Sequence, residues 1–202
     1  MTELYPFSSH TLQLKKLRYH YLDEGAGNEP LLMLHGNPSW SFYYRNLILG
    51  LKDYYRCVVP DHMGMGKSDK PQNYNYTLSQ HIDNLEALVD KLVLGDITLM
   101  VHDWGGAIGI GMALQRISSL RRLAVLNTAA FVDSRIPRSI SVCRFPVLGK
   151  LIVQGFNGFA GPATRMAVSK KALAESVKRG YLLSLIHISE PTRPERIAYA
   201  VF

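Results

Sequence analysis

Cysteine is scarce in this chain, and so is every feature that marks an exported or embedded protein. Cys57 and Cys143 are the only two cysteines and lie far apart, so neither a disulfide framework nor a zinc site can be read from them. A reducing, cytoplasmic compartment is expected. Met1-Thr2-Glu3-Leu4 offers no basic segment followed by an apolar one, and no apolar run reaches the roughly 20 residues of a membrane-spanning helix. The net charge is +7, yet the basic residues come in nothing longer than pairs such as Lys15-Lys16, Arg121-Arg122 and Lys170-Lys171. That scatter excludes a nucleic-acid stripe. Absences also mark the second half: residues 131 to 180 contain no tyrosine, Leu126 to Phe131 contains no carboxylate, and His187 is the only histidine beyond His102.

What is present is a globular composition, 47% hydrophobic and 19% charged over 202 residues, enough for one sizeable core. Leu12 to Leu14 and Leu17 to Leu22 alternate apolar with polar residues and close on Asp23-Glu24-Gly25, which predicts an antiparallel strand pair. Leu31 to Leu34, Cys57 to Val59, Ile97 to Val101 and Leu123 to Leu126 are short solid apolar runs, the pattern of parallel strands covered on both faces. Helical spacing lies between them, over Ser39 to Leu51, Leu78 to Leu94 and Gly105 to Gln115. The alternation predicts an α/β fold with a mostly parallel sheet and helices on both faces. After Ala130 the strand pattern stops, and glycines with Pro137, Pro146 and Pro162 break the helical segments. The expected organisation is a core over 1–130, a partial helical cap over 131–182, and a tail over 183–202.

Val101-His102-Asp103-Trp104-Gly105-Gly106 carries the chemistry. A strand running into a sharp turn and a helix presents one side chain at the top of a sheet, the nucleophile elbow. That side chain is Asp103. A carboxylate nucleophile forms an alkyl ester by displacement at saturated carbon, which selects alkyl halides, epoxides or strained lactones over ordinary esters. His35-Gly36-Asn37-Pro38 ends the third predicted strand, where this architecture places half of an oxyanion hole; the backbone N–H of Trp104 supplies the other half. The Asn37 amide and the Trp104 indole N–H are uncharged donors suited to a halide or a developing carboxylate. Asn37 could instead cap the following helix, Asp103 could simply mark a turn, and Trp104 could be core. Their occurrence in one chain favours the site. His62 is expected to be structural, in a glycine-rich scaffold loop over Asp61 to Pro71.

On these motifs the chain resembles the haloalkane dehalogenase superfamily of α/β-hydrolases, from Tyr5 to about Tyr181. With Asp61-His62-Met63-Gly64-Met65-Gly66 and Asn127-Thr128-Ala129-Ala130-Phe131 added, it is most similar to the β-lactone decarboxylases of bacterial long-chain olefin biosynthesis. The resemblance implies an Asp103 nucleophile, Asn37 and Trp104 as halide or oxyanion donors, a small alkyl substrate, no metal or organic cofactor, and association with other olefin-pathway enzymes. Epoxide hydrolases share the Asp-Trp-Gly-Gly elbow but use paired lid tyrosines, which the cap region lacks. A non-catalytic alkyl-ligand-binding homologue is the alternative from another class; its affinity would survive Asp103→Asn.

In a dehalogenase a histidine, oriented by an acid, activates water against the ester. Neither partner is present in the expected place, so the fold is expected to be incomplete at its C-terminus. Leu183-Ser184-Leu185-Ile186-His187-Ile188-Ser189-Glu190-Pro191-Thr192-Arg193 resembles a translated sequencing adapter, which implies a non-native tail and no role for His187. The strand at Leu123 to Leu126 would then form an exposed edge, and the chain as written is expected to be poorly soluble and not to turn over.

Overall fold

A computed structural model of the chain describes residues 2–128, 130 and 173–183. Its core is one six-stranded sheet of order β1-β2-β4-β3-β5-β6. β1 (Ser9–Leu14) and β2 (Leu17–Glu24) form the expected antiparallel pair, and β2 joins β4 (Tyr55–Pro60) antiparallel. From there the sheet is parallel: β4 with β3 (Glu29–Leu34), β3 with β5 (Ile97–His102), and β5 with β6 (Leu120–Leu126).

The solid apolar runs are explained by two-sided burial. Alternate residues of β3 divide between two cores: Leu32 and Leu34 face one, Leu31 and Met33 the other. The first core is covered by α2 (Leu78–Lys91) and α3 (Trp104–Gln115), through Ile82, Leu85, Leu88, Ile108 and Met112. The second is covered by α1 (Arg45–Leu51) through Ile48, and by the 3-10 turn Ser41–Tyr44 before it. Helices therefore lie on both faces, because each βαβ crossover must be right-handed and the strand order reverses at β3.

Two elements depart from the sequence pattern. The helix expected over Ser39 to Leu51 is divided, its start being the 3-10 turn and only Arg45–Leu51 being α-helical. The tight start has a cause: the Ser41 N–H is drawn onto Asp61 Oδ1 at 2.7 Å, and Ser41 Oγ onto Tyr5 Oη at 2.6 Å. The helix over Leu78 to Leu94 ends at Lys91, since Val93 takes φ +51°.

Of the expected cap, residues 173–182 are described. They include most of α4 (Glu175–Leu183), which packs on the Ser41–Tyr44 turn. Trp40 Nε1 donates to Gly180 O at 3.0 Å, and Phe42 meets Tyr181 edge-on at 5.2 Å. Residues 131–172, with Cys143, and the tail from 184 onward, with His187, lie outside the described residues. β6 is the sheet edge among those described, with Leu123 and Val125 about half exposed. No described helix is long and apolar enough to cross a membrane.

Candidate active site

Asp103 is the single residue between β5 and α3, with φ +51° and ψ −125°. A non-glycine residue held at positive φ costs energy and persists only where its surroundings enforce it. Here they do: the Asp103 carbonyl accepts from Gly106 N–H at 2.9 Å and from the Thr128 hydroxyl. The turn also needs small neighbours. A Cβ on Gly105 would stand 2.2 Å from Leu34 O, so α3 can start this close to β3 only with glycine there.

The side chain of Asp103 meets the loop after β3. Asn37 N–H donates to Asp103 Oδ1 at 2.7 Å, and the peptide bond that follows, Asn37-Pro38, is cis. The contact comes from the Asn37 backbone, whereas the sequence drew attention to its side-chain amide. Asn37 does not cap the following turn, whose N-cap is Trp40. Gly36 lets the two segments touch, because a Cβ there would lie 2.1 Å from Asp103 Oδ1 and 2.2 Å from its Cβ. Trp104 opens α3 and is half-buried. Asn37, Asp103 and Trp104 thus share the C-terminal edge of the parallel strands, where ligands bind in open α/β sheets.

Gly36→Ala is expected to displace the Asp103 carboxylate from the Asn37 N–H and, for an Asp103 that acts as nucleophile, to slow product formation by roughly 10²-fold, since a misplacement near 1 Å carries about that cost. First-turnover rates of the two proteins, compared after circular dichroism has shown equal folding, check this.

The support of the β3 loop was only partly legible. His35 is buried; its Nδ1 donates to Gly36 O at 2.9 Å, and its Nε2 accepts from His62 N–H at 3.1 Å. His62 Nε2 returns the bond to His35 O at 3.1 Å, so His62 clasps the loop and has the structural role its motif suggested. Burial lowers the pKa of both rings and keeps them neutral. Beneath them Asp61, fully buried, accepts from Ser41 N–H at 2.7 Å and Lys67 N–H at 2.8 Å, and pairs with His20 Nδ1 at 2.9 Å. Burial alone would raise the Asp61 pKa, but these partners hold it at about 2.

Tyr43 was missed. It stacks on His102 at 4.4 Å and 18°, next to Asp103, and burial together with Tyr181 and Asp103 raises its pKa. Nothing in the sequence distinguishes Tyr43 from the aromatic residues beside it. Among the described residues no group of three or more histidine, cysteine or carboxylate side chains could hold a metal ion.

This arrangement of strand, turn, helix and facing loop can be compared with known proteins. The profile of the alpha/beta hydrolase fold matches residues 29–161. The chain belongs to the α/β-hydrolase fold family. This α/β-hydrolase is 47% identical over 185 residues to a cis-3-alkyl-4-alkyloxetan-2-one decarboxylase of Shewanella oneidensis, covering 89% of this chain and 58% of that protein. A decarboxylase of the same name from Xanthomonas campestris pv. campestris is 42% identical over 191 residues, covering 88% and 63% respectively. The chain therefore spans about 60% of the length of these curated relatives. Among solved structures, the haloalkane dehalogenase DatA from Agrobacterium tumefaciens C58 superposes with TM-score 0.80 at 26% identity, covering 94% of this chain and 65% of that one.

Proposed function

We propose that Asp103 is the nucleophile of an enzyme acting on alkyl substrates, with a cis-disubstituted β-lactone as the preferred class. The observation that carries this reading is the Asp103 carboxylate at a strained elbow, 2.7 Å from the Asn37 N–H. An oxetan-2-one is a β-lactone, and two relatives bear that substrate in their names.

Asp103 attacks the saturated ring carbon that bears the ring oxygen. The carbon–oxygen bond breaks, and its electron pair leaves on a new carboxylate that Asn37 and Trp104 hold. Loss of carbon dioxide then sends the freed carbon–carbon pair into the double bond as the Asp103 ester bond breaks, returning the Asp103 carboxylate. Inversion at the attacked carbon followed by anti elimination keeps the cis geometry of the ring in the alkene. On a haloalkane the same attack expels halide into the same donors and stops at the ester until water removes it.

Product analysis tests the reading. In a single-turnover experiment with a cis-3,4-dialkyl β-lactone, cis-alkene and carbon dioxide are expected in equal amounts, and the bromoalkane of matched length is expected to release at most one bromide per chain. Multiple bromide turnovers with no alkene would transfer the assignment to dehalogenation; neither product would remove it.

A further inference from the structure

His81, on α2, is 1% exposed, and neither of its ring nitrogens has a hydrogen-bond partner among the described residues. A buried polar ring without partners is costly, and an apolar residue would avoid the cost at this helix position. What His81 does have is ring contacts. It meets Trp104 edge-to-face, centroids 5.8 Å apart at 82°, and meets His62 in the same manner at 5.8 Å and 79°. His62 in turn lies 4.5 Å from the His35 ring. One column of rings therefore runs from Trp104 through His81 and His62 to the base of the loop that carries Asn37.

We propose that His81 is a positioning residue that fixes the Trp104 indole through its edge contact and ties it to the His35–Asn37 loop through His62. The proposal rests on the reading of Trp104 and Asn37 as anion donors for its purpose, but its geometric content stands separately. In an edge-to-face pair one ring presents its partly positive edge to the π face of the other, a contact that an aliphatic residue cannot make with Trp104. The ring must stay neutral, since a cation there would be uncompensated in the core; burial, reinforced by His35, lowers the His81 pKa to about 4.

The chain holds two tryptophans, Trp40 and Trp104, so labelling with 5-fluorotryptophan gives two fluorine resonances, and Trp40→Phe assigns them. His81→Ala is expected to shift and broaden the Trp104 resonance, and His81→Phe, which keeps a ring edge, to return it toward its original position. Leu85→Ala, which opens a cavity one turn along α2, is expected to leave it in place. Bromide titration is read on the same resonance, with about tenfold weaker binding expected in His81→Ala, the equivalent of one lost hydrogen bond to an ion. An unmoved Trp104 resonance in His81→Ala, or an equal shift in Leu85→Ala, overturns the positioning role. If His81→Ala moves the resonance but bromide leaves the unsubstituted protein unchanged, positioning stands and the anion-donor reading of Trp104 falls.

Discussion

Asp103→Asn is expected to lower first-turnover product formation by about four orders of magnitude or more, the scale seen when a nucleophile is removed. The substitution is informative because little else should change. Asparagine has the shape of aspartate, so it meets the backbone strain at φ +51° and ψ −125° with the same steric fit. Its side-chain oxygen can keep the bond from Asn37 N–H, and the bonds from Gly106 N–H and the Thr128 hydroxyl involve only the main-chain carbonyl of residue 103. What is lost is the charge and nucleophilicity of the second oxygen. Rates measured with lactone and bromoalkane, beside a thermal melt, check this. An unchanged melting temperature with abolished chemistry is the expected result, and chemistry retained within tenfold would place the nucleophile elsewhere. A purely ligand-binding protein would differ again, keeping its affinity in the variant and showing no product in either form.

The second large effect is expected away from the chemistry. Asp61→Ala should destabilise the fold by roughly 3–5 kcal/mol, since each buried donor left without its acceptor costs about 1–3 kcal/mol. Asp61 gathers His20, the Ser41 N–H and the Lys67 N–H in the interior, and alanine leaves all three without their acceptor. Urea unfolding measures the loss directly; a change under about 1 kcal/mol would mean that the cluster is dispensable. Acidification acts on the same region in two windows. His35, His62 and His81 are held below their ordinary value of 6.5, so below that pH the unfolded chain binds protons that the native chain refuses, and stability falls. Asp61, lowered from 3.8 to about 2, adds its own loss only as the pH drops through that lower interval. The urea midpoint is therefore expected to decline from about pH 6.5 downward, well before the carboxylate range.

Particular residues explain how much of this was legible in the sequence. The solid runs at Leu31–Leu34 and Ile97–Val101 read as two-sided strands because both their faces are covered, and they are. Asp103 read as an elbow because the glycines after it have a steric purpose that spacing alone reveals; the Leu34 carbonyl beside Gly105 is that purpose. Less legible were features that depend on long-range contacts. The 3-10 start of the helix at Ser41 follows from Asp61, 20 residues away. The bond to Asp103 comes from the main chain of Asn37, which any residue but proline could supply, so residue type could not announce it. Tyr43 gains its place beside His102 only when β5 and the Ser41–Tyr44 turn meet.

The measurement that bears most directly on Asp103 as nucleophile is peptide mass mapping after reaction with a long-chain 1-bromoalkane. The expected result is one alkyl group added, with loss of bromide, on the peptide containing Asp103, and no such mass on the Asp103→Asn protein. Bromide release without any ester on that peptide, or an alkyl group fixed on another side chain and retained in the variant, would contradict the account.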